Sequence, residues 1–242
     1  MKLSVVVPAR NEERCLRKVI TDITEHLRGK FPYEIIIVND NSIDKTGEIC
    51  EELSQRDPNI KVIHRKERPG FGRAVKEGLN FTTGEAVVIC MGDGADEPGD
   101  IVKYYNKLEE GYDCVFGSRF TKDSLIKDYP AFKLILNRIG NTLIRCLFLF
   151  SYNDITNAFK MYRKEVITFL KPFVSDYFEI TVEIPLKSII YGFSYTVVPI
   201  NWYGRKEGVS KYNLLKGLER YFFTIFYIWF EKILHIWWKN YK

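Results

Sequence analysis

The sequence predicts an α/β fold: a mostly parallel sheet flanked by helices, followed by C-terminal amphipathic helices. Two observations predict it. Short runs of consecutive apolar, often β-branched residues alternate with amphipathic segments through the first half of the chain, and continuous apolar strands separated by helices belong to parallel sheets covered on both faces. The segments after those runs are rich in Asp, Asn, Arg and Gly, as expected of loops at the carboxyl rim of such a sheet, where ligands bind.

The first strand is LSVVVPA, ended by Pro8 and Ala9, and NEERCLRKVITDITEHL after it sets Leu16, Val19, Ile20, Ile23 and Leu27 on one helical face. YEIIIVND reads as the second strand, DKTGEICEELSQRD as a helix, IKVIHR as the third strand, FGRAVKEGLNFTT as a helix and EAVVICM as the fourth strand. Further on, YDCVFGSRF is a strand ending in Gly117, Ser118 and Arg119, and FKLILNRIGNTLIRCLFLFSY is a helix carrying Asn137, Arg138 and Asn141 among apolar residues. EITVEIPLKSIIYGF is a helix that Pro185 bends or interrupts, and SYTVVPINWYG is a strand. No repeat or Pro/Ser-rich linker divides the chain, so residues 1–212 are expected to form one domain and residues 213–242 a helical appendage.

With 242 residues, 46% of them hydrophobic and 15% aromatic, the chain can bury a full core. Cys15, Cys50, Cys90, Cys114 and Cys146 lack C-x-x-C spacing, which argues against a disulfide framework or zinc site and for a reducing compartment. The net charge of +5 is uneven: the first 200 residues hold 28 Lys/Arg and 28 Asp/Glu, and the remainder eight against three. That basic excess accompanies the aromatic runs YFFTIFYIWF and HIWW, which suggests an anionic surface as partner, with membrane, nucleic acid or a protein as the candidates. Nucleic acid fits poorly, because the basic residues cluster in one loop and tail with no recognised motif. The opening MKLSVVVPARNEE does not read as a secretory leader, since its short apolar run ends at Pro8 and a charge run. A cytoplasmic protein is expected.

In VVICMGDGADEPGDI, Asp93, Asp96, Glu97 and Asp100 crowd within eight residues. Such a loop either holds a divalent cation through oxygen ligands or forms a turn whose carboxylates cap the next helix. The crowding favours a cation at Asp93 and Asp96, while Glu97 and Asp100, beside Pro98, suit a helix start. NDNSIDKTGE fits an Asx turn before a helix, with Asp40 at the strand end placed to accept hydrogen bonds from a nucleotide base or ribose. GFGRA follows the third strand rather than the first, which argues against a dinucleotide fingerprint. Arg119, at a strand end beside the acidic loop, suits bidentate bonding to a diphosphate. YGRKEGVSKYN puts Arg205, Lys206, Ser210 and Lys211 on a loop with two glycines, able to close over an anion.

Taken together, VVVPARNEE, IIIVNDNSIDKT, RPGFGRAVKEGL, MGDGADEPGDI, FGSRF, NDITNAFKMYRKEV and RKEGVSKY resemble, in order and spacing, the family 2 glycosyltransferases of GT-A fold, in their polyprenyl-phosphate branch. The resemblance implies that Pro8, Ala9, Arg10, Glu12, Asp40 and Asp93 bind a nucleotide sugar and that the acidic loop holds Mg²⁺ or Mn²⁺. It implies that Arg119 faces the phosphates, that Arg138 lies near an acceptor phosphate, and that Arg205 and Lys211 belong to a closing basic loop. The chain departs from the branch in three places. Gly92 and Gly94 stand where two aspartates are usual and Asp96 where a glutamine is, so a loop of Ala-Asp-x-x-Asp-Asp-Pro type fits better and makes Asp93 and Asp96 the ligands. The usual Asp-Asp-Gly-Ser is Asn39-Asp40-Asn41-Ser42, and the usual Ser-Gly-Phe-Arg is replaced by Thr156-Asn157-Ala158-Phe159-Lys160.

The implied reaction moves a hexose, with inversion, from a donor of GDP-mannose or UDP-glucose type to a polyprenyl or dolichyl phosphate. An acceptor that is already an anion needs cations rather than a carboxylate base beside it, and Arg119, Arg138, Arg205 and Lys211 suit that role. A soluble or polysaccharide acceptor would instead require such a base. A non-catalytic nucleotide-sugar or partner-binding protein is the remaining alternative; a sugar nucleotidyltransferase would carry a glycine-rich basic loop where PARNEE is acidic. No segment approaches the roughly 20 apolar residues needed to span a bilayer, so peripheral association with the cytoplasmic face through interfacial helices is expected. The alternative is that YFFTIFYIWF packs on the core or on a second copy of the chain, as a homo-oligomer.

Overall fold

The computed structural model describes residues 1–204 and 214–241, with side chains of the last helix described over 217–237. β1 (Leu3–Ala9), β2 (Tyr33–Asp40) and β3 (Ile60–Arg65) pair in parallel, joined by α1 (Leu16–Leu27) and α2 (Thr46–Arg56). α3 (Phe71–Phe81) leads to β4 (Ala86–Ile89), which pairs in parallel on the other side of β1. These strands can be apolar throughout because both faces are covered: Val5 and Val7 point into a core shared with α1 and α2, while Val6 points to Val75 and Leu79 of α3.

Beyond them come α4 (Gly99–Glu109), β5 (Cys114–Ser118), β6 (Ile126–Lys127), α5 (Ala131–Phe148), β7 (Lys160–Arg163), α6 (Lys164–Leu170), α7 (Ile180–Ile190), β8 (Tyr195–Pro199), β9 (Trp202–Tyr203) and α8 (Leu214–Tyr241). The main sheet has the order β3-β2-β1-β4-β7-β5-β8, and β6 pairs with β9 in a separate ribbon. This is the expected mostly parallel, helix-flanked sheet, with one strand that sequence reading passed over. β7 runs antiparallel to both its neighbours. Its four residues begin and end in charge, so its pattern is too short to register, although Met161 and Tyr162 fill the two cores.

One strand also divides where a single one was expected. The single strand expected over SYTVVPINWYG divides after Pro199: Ile200 still donates to the Ser118 carbonyl, but Trp202 turns away to pair with Ile126. Pro185 lies inside α7 without ending it. The carbonyl that its missing N–H leaves over, that of Thr181, accepts a hydrogen bond from Lys160 Nζ at 3.1 Å.

α8 is one long helix rather than several. Its inner face joins the second core through Ile228 and lays Glu231 beside Lys187 of α7 and Tyr191 just after it, while Phe222, Phe223, Phe226 and Phe230 face outward. Lys232 reaches the Phe148 carbonyl at the end of α5, so the two helices adjoin. α5 likewise exposes Phe132, Ile135, Ile139 and Leu143. Among the described residues no helix is long and apolar enough to cross a membrane.

Candidate active site

The loops after β1, β2, β4 and β5 gather at one rim. The first two interlock through small polar side chains: Ser42 Oγ accepts from the Asn11 amide (3.0 Å), Asn11 Oδ1 from the Ile43 amide (2.9 Å) and Thr46 Oγ1 from the Glu12 amide (2.8 Å). Asn11 and Asn41 both adopt positive φ, which asparagine tolerates better than most residues. Pro8 and Ala9 close β1 against Val38 and Asn39, leaving Arg10 exposed at the rim and Glu12 partly buried behind it.

Asp40 is only 3% exposed. Its carboxylate pairs with Arg65 and accepts the Gly70 amide at 2.7 Å. Burial raises its pKa, against the pull of the Gly70 N–H and the Arg65 charge. Asp40 therefore ties β2 to the start of α3 and holds the β3–α3 loop in place beside the rim.

The acidic loop lies against β1, since a Cβ on Gly92 would approach the Pro8 carbonyl oxygen to 3.1 Å. Gly94 supplies a positive φ, and Asp93 Oδ1 accepts the Ala95 amide at 3.1 Å in a tight turn. Asp96 is buried and accepts the Met91 amide at 3.0 Å. Burial pushes its pKa up to about 7, with the Met91 N–H opposing and the Asp93 charge adding. Glu97 and Asp100 stand at the start of α4 as the sequence predicts, with Asp100 paired to Lys103. Among the described residues no three His, Cys, Asp or Glu side chains cluster as a metal cage. Two neighbouring carboxylates, one held back from ionising by burial, nonetheless fit Mg²⁺ or Mn²⁺, because such ions take one or two carboxylates and complete their shell with water and substrate phosphates.

Arg119, expected from the resemblance to face phosphates, has a carboxylate partner within the protein. The Arg119 side chain is 8% exposed and bonded to Asp154 by Nε (2.8 Å) and Nη2 (2.7 Å), with the residue's backbone amide on the same carboxylate (2.9 Å). Burial opposes the charge, but Asp154 outweighs it and holds the guanidinium above its ordinary pKa. The rings of Phe120, Tyr129 and Trp202 surround it at 5.4–5.9 Å. Asp154 stands in the sequence only as part of NDITNAF, and nothing in that pattern marks it as the partner of Arg119.

Arg138 comes to the same place from α5. It stacks at 4.2 Å on the Phe120 ring and donates to the Asn153 carbonyl at 3.1 Å. One ring thus brings two guanidiniums together. Trp202 links this pair to the acidic loop, because its backbone bridges to Asp96 while its ring lies by Arg119. Arg205 and Lys211 lie outside the described residues. The strand before them is anchored at the site, with the Tyr203 amide on the Ala95 carbonyl and the Gly204 amide on the Lys127 carbonyl.

The chain is similar to known proteins over most of its length. Residues 4–170 match the model of the family described as glycosyl transferase family 2. The chain is 30% identical over 213 residues to a polyprenol monophosphomannose synthase of Mycolicibacterium smegmatis, covering 86% of this chain and 79% of that one. It is 32% identical over 223 residues to a dolichol-phosphate mannosyltransferase of Pyrococcus furiosus, covering 90% of this chain and 60% of that longer one. Solved structures of glucosyl-3-phosphoglycerate synthase from Mycobacterium tuberculosis share the fold. The complex with UDP superposes with a TM-score of 0.71 at 20% identity, over 94% of this chain and 80% of that one. The complex with Mn²⁺, UDP and glucosyl-3-phosphoglycerate gives 0.69 at 20% identity, over 96% and 79%. With the family model spanning most of the sheet and the acidic and arginine-bearing loops in their expected order, the chain belongs to glycosyl transferase family 2.

Proposed function

We propose that this glycosyltransferase moves a hexose from a nucleotide sugar to a polyprenyl phosphate at a membrane surface, inverting the anomeric carbon. The observation that carries the reading is the position of Arg138. It stands with Arg119 around Phe120, on a helix whose neighbouring side chains Phe132, Ile135 and Ile139 are exposed. A ligand that is anionic at one end and apolar along its length suits such a place. The names of the two curated relatives point to the same acceptor class.

Asp93 and Asp96 would hold Mg²⁺ or Mn²⁺, which when bound stabilises the departing diphosphate by charge. The Pro8–Glu12 segment and Asp40 form the donor side, and the interlocked loops keep that side preorganised. Arg119, locked by Asp154, positions Phe120 and the acidic loop more than it reaches for substrate. Arg138, joined by Arg205 and Lys211, orients the acceptor phosphate. That phosphate is ionised at neutral pH and attacks C1 without a carboxylate base.

Transfer of radiolabelled sugar from a panel of nucleotide donors to a short polyprenyl phosphate, with and without Mn²⁺, tests this directly. Metal-dependent, chloroform-soluble label is expected, and Asp93→Ala should lower it by roughly 100-fold or more. Tight donor binding without labelled lipid would move the acceptor to soluble saccharides, and full turnover by Asp93→Ala would dismiss the metal loop.

A further inference from the structure

We infer that α8 is part of the donor site's framework as well as a surface helix: its first turns hold the segment at residues 175–178, which in turn holds the start of α3 and Asp40. The inference rests on the reading of the Asp40 side as the donor site.

The contacts form an unbroken series. On α8, the Arg220 guanidinium lies 3.5 Å above the Tyr177 ring, the Tyr221 hydroxyl donates to the Phe178 carbonyl at 3.2 Å, and Thr224 meets Ser175 hydroxyl to hydroxyl at 3.5 Å. One helix face thus touches three of four consecutive residues. The same segment is bound to α3 on its other side. The Asp176 carbonyl accepts the Arg73 amide at 3.1 Å, its carboxylate takes Arg73 Nη2 at 2.6 Å and Lys76 Nζ at 2.8 Å, and Phe178 stacks flat on Phe71 at 4.5 Å. Gly70 and Gly72 permit this approach. A Cβ on Gly72 would lie 2.6 Å from the Ser175 oxygen, and one on Gly70 would collide with the Asp176 oxygen. The last step is the Gly70 amide itself, donated to Asp40 at 2.7 Å.

The series explains a feature that surface attachment alone does not. A helix serving only to lie on a membrane needs no directed contacts at its start, yet here a cation–π contact, a hydrogen bond and a polar pair converge on the segment that shapes the donor side. Arg220 and Tyr177 are therefore positioning residues, acting on the nucleotide through α3 without touching it.

The test measures binding of soluble UDP and GDP to the full chain in detergent, with Mn²⁺ and no lipid acceptor, by titration calorimetry. Arg220→Ala should weaken the preferred nucleotide by about five-fold, Arg220→Lys should recover most of the loss, and Tyr177→Leu should give the same loss with no addition in the double variant, as expected for one shared cation–π contact. Tyr221→Phe, which removes a single hydroxyl and leaves the helix packing in place, should weaken binding about two-fold and keeps the test open should Arg220→Ala fail to fold. Unchanged nucleotide affinity in folded Arg220→Ala and Tyr221→Phe would overturn the inference while leaving the donor site standing. A wild-type chain that binds neither nucleotide would overturn both.

Discussion

Lys160 ties together three carbonyls from two parts of the chain. It stands where the family pattern has arginine, is fully buried at the start of β7, and donates to the carbonyls of Ile155, Asn157 and Thr181. The first two belong to the loop that presents Asp154 to Arg119, and the third is the carbonyl left over by Pro185. Burial pushes the amine from its ordinary 10.5 down to about 7, against the attraction of Asp154. The unfolded chain keeps that proton up to about 10.5 and the folded chain releases it near 7. Between those values the unfolded state binds more protons, and this side chain adds stability as pH rises. Lys160→Met should cost about 3 kcal/mol by stranding three carbonyls. In urea unfolding at about pH 7.5 and about pH 9, the wild-type midpoint should climb relative to that of the variant; parallel midpoints would show that Lys160 does not titrate in this range.

α3 is held at its start by close backbone packing. Its opening GFGRA looks like a weak phosphate loop in sequence, but the glycines serve close packing: Gly72 lies under the Ser175 and Asp176 backbone, where a Cβ would come within 2.6–2.8 Å of three backbone atoms. Backbone cannot swing aside as a side chain can. Gly72→Ala should therefore destabilise the protein by about 1–3 kcal/mol, despite alanine's better helix propensity. Differential scanning calorimetry should show a lower midpoint, and an unchanged or raised one would mean that the segment at 175–178 yields freely. The same substitution should also weaken nucleotide binding, because that segment and Asp40 meet at the start of α3.

Across the whole molecule, polarity is reversed where α8 meets α7. Glu183, Lys187 and Glu231 are drawn inward, with Lys187 Nζ 3.4 Å from Glu183 and 3.8 Å from Glu231, while aromatic rings point out. An outward apolar face beside a basic sequence is suited to the headgroup region of a bilayer. Replacing Phe222, Phe226 and Phe230 together by serine should reduce co-flotation with anionic vesicles by roughly ten-fold or more, since each ring contributes its burial, and should leave the thermal midpoint near that of the wild type. Flotation that persists would assign the exposed face to another partner. The periodic apolar runs of residues 3–116 were enough to read the parallel strands, the order of the loops and the residues at the rim, because burial on both faces imposes a pattern that local sequence must satisfy. That Arg119 is taken up by Asp154, that Lys160 completes a helix broken in its bonding by proline, that a four-residue antiparallel strand sits between β4 and β5, and that Arg220 reaches Tyr177 were decided by tertiary structure alone. Each depends on which side chain meets which across long stretches of chain, and pairing of that kind leaves no periodicity in the sequence that could announce it.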